Sequence, residues 1–229
     1  MAFIELKEVF YRYPESEEWV LKGVNLSVGS ERVVITGRTG SGKTTLLRVM
    51  SGVALKVYGG ELRGEVLIEG RVAYVPQEFD LYILMPTPRE ELTYILSAQN
   101  LGLNDVEVRI REISELLGIK ELLDRRVVKL SMGERQRVAI ASAIALNPEI
   151  LILDEPFAHI DPKGAVDLVR LLSNLGVSTL VISEHKLRYL ANIIDRVVVL
   201  RDGTVVYSGS LEGAPKDPDI EWPLSMLRW

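Results

Sequence analysis

The run Gly37-Arg38-Thr39-Gly40-Ser41-Gly42-Lys43-Thr44-Thr45 constrains this chain more than any other stretch. Glycine, four residues, glycine, lysine and threonine is the P-loop pattern, and it counts as one only between a strand and a helix. Both flanks are present: Arg32-Val33-Val34-Ile35-Thr36 in front is β-type, and Leu46-Leu47-Arg48-Val49-Met50 behind reads as the following helix. Glycines let backbone N–H groups close around phosphate oxygens, and the helix points its positive dipole end at them. In such a loop Lys43 reaches the β and γ phosphates, while the Thr44 hydroxyl sits on Mg²⁺. The plain alternative is a glycine-rich turn, but the spacing and the two flanks together select nucleotide-phosphate binding.

With 229 residues the chain is long enough to bury a substantial core, as one domain or as a core with a subdomain. Its net charge of -5 argues against general nucleic-acid binding. Cysteine is absent, which excludes disulfides, thiolate metal sites and cysteine nucleophiles. Residues 1–9 carry Glu5, Lys7 and Glu8 among apolar residues, so they read as a strand and not as a signal-peptide core. The longest uncharged apolar run, residues 138–146, falls well short of the roughly 18 residues of a membrane span. A protein outside the bilayer is expected, on the cytoplasmic side, with any membrane role carried by a partner.

Residues 3–9 and 20–28 alternate about a polar turn at Pro14-Glu15-Ser16-Glu17-Glu18, which predicts an antiparallel β layer. After the P-loop helix, Tyr58-Gly59-Gly60 reads as a loop, and residues 64–70 and 71–75 as two short strands. From 89 to 124 the pattern turns helical, with Val106, Ile110, Ile113, Leu116 and Leu117 spaced by three and four. A further helix is expected over 133–146, stopped by Asn147-Pro148, and Ile150-Leu151-Ile152-Leu153 is a buried parallel strand. Helices over 163–175 and 186–194 then alternate with strands over 178–183, 196–200 and 204–207. This order predicts an α/β fold with a mostly parallel sheet. Residues 1–76 and 148–213 would form the α/β core with its β layer, 77–147 an inserted helical subdomain, and 214–229 a tail. The tail residues Trp222, Leu224, Met226, Leu227 and Trp229 are expected to cover the core or to meet another subunit.

The apolar strand ends in Asp154-Glu155, two carboxylates at the carboxyl edge of the sheet, where open α/β folds bind ligands. Asp154 suits a magnesium ion, and Glu155 suits orienting or polarising an attacking water. Such a pair alone is more often a solvated loop or helix cap; the P-loop in the same chain reverses those odds. Leu130-Ser131-Met132-Gly133-Glu134-Arg135-Gln136 opens a helix with a serine and a glycine, which alone reads as an ordinary cap with Glu134 as its third-position acid.

Taken together in order, these segments resemble the ABC transporter ATPase family over nearly the whole chain. Residues 130–134 resemble the family signature, usually Leu-Ser-Gly-Gly-Gln, with Met132 and Glu134 as departures and Ser131 and Gly133 kept. Gln77 resembles the Q-loop glutamine that senses magnesium and the membrane partner, residues 150–156 the Walker B segment, Asp161 the D-loop aspartate and His185 the switch histidine. Tyr13 sits where the family stacks an aromatic ring on adenine, with Tyr11 as the neighbouring candidate; His159 matches no family role and reads as structural. The resemblance implies Glu155, His185 and Lys43 as catalytic groups and Thr44, Gln77 and Asp154 around Mg²⁺. ATP would be held by Tyr13, Gly37, Thr39, Gly40, Ser41, Gly42, Lys43, Thr44, Thr45 and Gln77, with Ser131, Gly133 and Asp161 reaching the nucleotide of an opposite subunit. Tyr58-Gly59-Gly60-Glu61, Asn100-Leu101-Gly102-Leu103 and Ser183-Glu184-His185-Lys186-Leu187 further resemble the energy-coupling-factor ATPases, which power uptake of vitamins or of cobalt and nickel ions.

That resemblance implies a pair of ATPase chains, homo- or heterodimeric, working on integral membrane subunits. Leu81-Tyr82-Ile83-Leu84-Met85, just after Gln77, is the candidate docking surface, with subdomain core as an equal alternative. A soluble ABC-type ATPase acting on nucleic acid or ribosomes is the competing reading, but the long coiled-coil insertion or second nucleotide domain usual there is not visible. A P-loop kinase has no need of residues 130–134, and the guanine-reading Asn-Lys-x-Asp motif of GTPases is absent.

Overall fold

The computed structural model describes residues 2–158, 160–216 and 220–223. His159, Leu224, Met226, Leu227 and Trp229 lie outside the described residues, as does the side chain of Leu81. The chain order is β1 (Phe3–Arg12), β2 (Leu21–Val28), β3 (Arg32–Thr36), α1 (Lys43–Met50), β4 (Glu61–Glu69), β5 (Val72–Val75), α2 (Pro88–Ser97), α3 (Leu103–Leu116), α4 (Met132–Ala145), β6 (Ile150–Asp154), α5 (Pro162–Ser173), β7 (Thr179–Ser183), α6 (Leu187–Leu190), β8 (Arg196–Arg201) and β9 (Thr204–Gly209). A three-stranded antiparallel sheet runs β2-β1-β4, and a six-stranded sheet runs β5-β6-β7-β3-β8-β9. All neighbours in the larger sheet are parallel except β8 and β9.

The central strands are apolar throughout because both faces of the larger sheet are covered. Their side chains divide by alternation between two cores. Val34, Leu151, Leu153, Leu180, Ile182, Val197 and Val199 face a core shared with α2 to α5. Their neighbours Val33, Ile35, Ile150, Ile152, Val181, Val198 and Leu200 face α1 and the antiparallel layer. The P-loop strand β3 lies between β7 and β8, so its carboxyl end opens next to that of β7, with β6 one strand further on.

The expected antiparallel layer is present, but the alternation of β1 breaks. Leu6 and Val9 are both buried, with a register shift between them, and Glu8 has φ 49. This bulge presses the β1 backbone onto β4, where only glycine fits: a Cβ on Gly64 would lie 2.3 Å from the Glu8 carbonyl oxygen, and its φ is 88. Helices α2 and α3 account for the period seen from 89 to 124, burying Leu92, Leu96, Val106, Ile110 and Ile113 on one stripe.

Two local expectations change. Tyr58 ends a helical turn over Ala54–Tyr58, and only Gly59-Gly60 is loop; the Tyr11 hydroxyl donates to the Gly59 carbonyl at 2.7 Å and stops the turn there. The helix expected over 186–194 is confined to Leu187–Leu190, because the chain must turn to feed β8. Asp195 fixes that turn, donating its N–H to the Arg32 carbonyl and accepting the Arg32 N–H, both at 2.8 Å.

Replacing Gly64 by alanine is expected to destabilise the fold by about 2 kcal/mol, from strain and backbone contact together. Gly176→Ala, at a site with open space around it, should shift the urea midpoint far less; equal midpoints for the two variants would contradict the bulge argument.

Candidate functional site

The phosphate loop is shaped by glycines that no other residue replaces without strain. Gly37, Gly40 and Gly42 have φ of 148, 80 and 101, and a Cβ on Gly37 would stand 2.1 Å from the Leu200 carbonyl oxygen. Lys43, 5% exposed, donates to the carbonyl oxygens of Gly37 at 3.0 Å and Arg38 at 3.1 Å. Burial lowers the ammonium pKa, against the opposing pull of Glu155, Asp154 and Glu184. The hydroxyls of Ser41 and Thr36 are buried without a hydrogen-bond partner, polar capacity left at the base of the loop. Beside the loop, between Gly37, Arg38, Thr39 and Ser41 and residues 199–202, lies a cleft of about 430 Å³.

The two carboxylates stand at the end of β6, where Asp154 pairs with Ser183 of β7. Asp154 is buried and accepts from the hydroxyls of Ser183, Thr44 and, at 3.2 Å, Tyr74. Burial raises its pKa; those hydrogen bonds oppose the rise, and Glu155 adds to it. One carboxylate beside one hydroxyl, oxygen donors only, suits Mg²⁺, which keeps waters and phosphate oxygens as its other ligands. Among the described residues no group of three or more His, Cys, Asp or Glu side chains forms a metal cage.

Glu155 has φ 46, unusual for a residue with a Cβ. Its N–H is held by the Ser183 carbonyl at 3.1 Å and the Ser183 hydroxyl at 2.9 Å. The turn aims its carboxylate at two residues far away in sequence: Gln77 Nε2 is 3.3 Å from Oε2, and His185 Nε2 is 3.3 Å from Oε1. Two side chains read separately from the sequence therefore meet on the carboxylate of a third.

Tyr13 is half-buried; its hydroxyl lies 3.0 Å from the Thr45 hydroxyl and accepts from Arg48 at 2.8 Å. Tyr11, by contrast, is fully buried and edge-on to Tyr13 at 5.1 Å, so it is a core residue and its candidacy for ring stacking falls. Ser131 caps α4 and shares a capping box with Glu134: Glu134 Oε2 accepts the Ser131 N–H at 2.7 Å, and Ser131 Oγ accepts the Glu134 N–H at 3.3 Å. The glutamate in the signature is thus engaged in the cap, and Met132 packs partly against the core. Gly133 faces open space. Ser131, Gly133 and Asp161 line one cleft of about 410 Å³, which shares no lining residue with the P-loop cleft. Asp161 caps α5 through the Gly164 N–H at 2.8 Å.

Several site residues escaped the sequence reading. Glu184 is 2% exposed and accepts the N–H groups of Phe157, His185 and Lys186, which ties the turn after β6 to the turn after β7. Gln136 on α4 donates to the Pro156 carbonyl, and Ser183 and Tyr74 hold Asp154. Arg48 stacks 3.9 Å over Tyr58 while bonding Tyr13. A charged residue directly after an apolar strand was the available signal for Glu184; the others are ordinary residues placed by the fold.

A strand-loop-helix phosphate cradle on a parallel sheet, with two carboxylates at its carboxyl edge and a helical insertion, defines a P-loop nucleotide-binding domain. The ABC transporter family model matches residues 21–158. A Methanocaldococcus jannaschii protein, the energy-coupling factor transporter ATP-binding protein EcfA, is 34% identical over 243 residues, an alignment that covers 96% of this chain and 83% of the relative. A Streptococcus pneumoniae relative is 34% identical over 228 residues, which is 91% of this chain but 40% of that protein; the chain spans less than half the length of several such curated relatives. Among solved structures, cbiO1 from Clostridium perfringens, part of the ABC transporter complex cbiONQ, is similar with a TM-score of 0.79 and 26% identity over 90% of this chain and 88% of that one. A dimeric ATP-binding cassette bound to ADP and Pi gives 0.76 and 27% over 92% of this chain and 100% of that one. The chain belongs to the ABC transporter family and carries its ATPase domain.

The raised pKa of Asp154 has a consequence for stability. Stability contributed by a group whose folded pKa is raised is present below its unfolded pKa, about 4, and is lost as pH rises through the folded value. Asp154→Asn, which does not titrate, should therefore unfold at higher urea than the wild type at pH 8 in EDTA, with the gap closing toward pH 4. A gap that widens on acidification would refute the burial argument.

Proposed function

We propose that this chain is the ATP-hydrolysing subunit of an ABC transporter, acting in pairs on integral membrane subunits, for uptake of a vitamin or a metal ion. The observation that carries the reading is the convergence of Gln77 and His185 on the Glu155 carboxylate, beside the buried Lys43 and Asp154. In this reading the P-loop amides and Lys43 hold the phosphates, with Gly37, Thr39, Gly40, Ser41, Gly42, Thr44 and Thr45 shaping the cradle, and Tyr13 stacks on the adenine. Thr44, Asp154 and Gln77 would hold Mg²⁺, which neutralises charge on the β and γ phosphate oxygens. Glu155 orients a water and takes its proton as the water oxygen bonds to the γ-phosphorus and the bond to the β-phosphate oxygen breaks. His185 steadies the carboxylate on its other side.

Ser131, Gly133 and Asp161 line a cleft that no P-loop residue lines, which supports a two-chain sandwich in which each nucleotide is closed by the second chain. The solved relative described as a dimeric cassette supports the same arrangement. Residues 77–147 would act as the unit that passes closure to the membrane partner, with 1–76 and 148–213 as the nucleotide core. Tyr82 and Leu84 are 46% and 68% exposed, next to a groove of about 160 Å³ lined by Tyr74, Ile95, Ala139 and Leu146, which suits an apolar helix of that partner. Glu91, buried on α2, holds this segment by accepting the N–H groups of Leu84 at 2.9 Å and Met85 at 2.8 Å. No helix among the described residues is long and apolar enough to cross a membrane, so attachment on the cytoplasmic side would run through the partner. The relatives named as energy-coupling-factor ATP-binding proteins support the uptake class.

Glu155→Gln should lower ATP turnover at least about a hundredfold while ATP still drives dimer formation in size-exclusion chromatography. Gly133→Glu should leave nucleotide binding to the monomer intact and abolish the dimer. A pull-down from detergent-solubilised membranes should recover integral membrane proteins; recovery of only soluble proteins or nucleic acid would overturn the transport role.

A further inference from the structure

Residues 220–223 lie against the switch histidine, and neither the P-loop reading nor the family motifs use them. Ile220 and Trp222 are 4% and 5% exposed and belong to the larger hydrophobic core, while Glu221 between them faces outward. This alternation leaves the Glu221 backbone edge-on to the turn that carries His185. The Glu221 N–H donates to the His185 carbonyl at 2.8 Å, and the Glu221 carbonyl accepts the Arg188 N–H at 3.0 Å. Arg188 stands in the first turn of α6, where N–H groups have no acceptor within the helix, so the Glu221 carbonyl supplies one. The side chains repeat the contact at the surface, with Arg188 Nε 3.1 Å from Glu221 Oε2.

From the other side the same turn is held by Glu184, whose Oε1 accepts the N–H groups of His185 at 2.8 Å and Lys186 at 3.0 Å. The backbone of His185 is therefore clasped between a buried carboxylate and the segment at 220–223, and its ring reaches Glu155 at 3.3 Å. A displacement of about 1 Å at a reacting group costs up to roughly a hundredfold in rate, so whatever fixes this backbone sets the reaction geometry.

We propose that the segment 220–223 is a positioning element for His185, acting through the two backbone hydrogen bonds of Glu221. The proposal rests on the reading of His185 and Glu155 as hydrolytic groups. Release of the segment lowers the hydrolysis step and leaves nucleotide binding alone, because the hydrogen bonds of Glu221 reach His185 and Arg188 and not the P-loop.

The test compares steady-state ATPase kinetics of the full chain for wild type, Glu221→Pro, Glu221→Ala, His185→Ala and the double variant E221P/H185A, with thermal melting as the check of folding. Proline removes the N–H that His185 accepts; alanine keeps it and removes only the surface ion pair. The expected result is a kcat about tenfold lower for E221P with KM for ATP within about twofold, a change below about twofold for E221A, and no further loss when E221P is added to H185A. Wild-type kcat in E221P overturns the proposal, as does an E221P loss of the same size in the H185A background. Should E221P not fold, Trp222→Leu takes its place under the same double-variant criterion. If wild-type turnover is absent or is insensitive to Glu155→Gln, the hydrolytic reading itself fails; if turnover depends on Glu155 and His185 but not on residue 221, the positioning role alone fails.

Discussion

The site depends on the parallel pairing of β6 with β7, which sets Asp154 beside Ser183. Through that one register the Ser183 hydroxyl donates to the Asp154 carboxylate and accepts the Glu155 N–H, so a neutral side chain arranges two carboxylates at once. A parallel ladder delivers its strand ends to the same edge, and ligand groups collect there because helices cover both faces. Were the register shifted by one residue, Asp154 would no longer stand opposite Ser183 and would lose that donor.

Around that edge the structure places buried charge where packing alone would not. Asp154 and Glu184 are 3% and 2% exposed, and burial raises the pKa of both. Each is tolerated because donors surround it and oppose the nearby Glu155: three hydroxyls for Asp154, three backbone N–H groups for Glu184. Glu184 thereby locks the turn after β6 to the turn after β7, and Lys186 Nζ repeats the link through the Phe157 carbonyl at 3.0 Å. The left-handed backbone at Glu155 is the strained element that this lattice of bonds sustains.

The helical segment touches the same lattice at few points. Gln136 reaches the Pro156 carbonyl, Gln77 reaches Glu155, and Ser131 stays at the far cleft in its capping box with Glu134. The substitution of glutamate for the usual glutamine in the signature is accounted for locally, since a carboxylate at the third position accepts the cap N–H better than an amide. Met132 fills space against the core, where the usual glycine would leave none filled.

The loop, the strand before it and the acidic pair after β6 were legible in the sequence because they rest on local rules: glycine where φ is positive, an apolar run where both faces are buried, carboxylates where a strand ends. The antiparallel layer was legible from alternation, though not its bulge at Glu8, which only the fit of Gly64 against it requires. Tyr11 and Tyr13 were indistinguishable as letters two apart; burial separated them. The helix after His185 was overread because the pull of Asp195 toward Arg32 comes from a strand more than a hundred positions earlier. By itself the sequence determined the glycine-rich loop between β3 and α1, since that cradle is contiguous. Only the tertiary structure decided that Gln77, Glu155 and His185 share one point and that Glu221 stands behind it, because those meetings depend on sheet order and register rather than on neighbours along the chain.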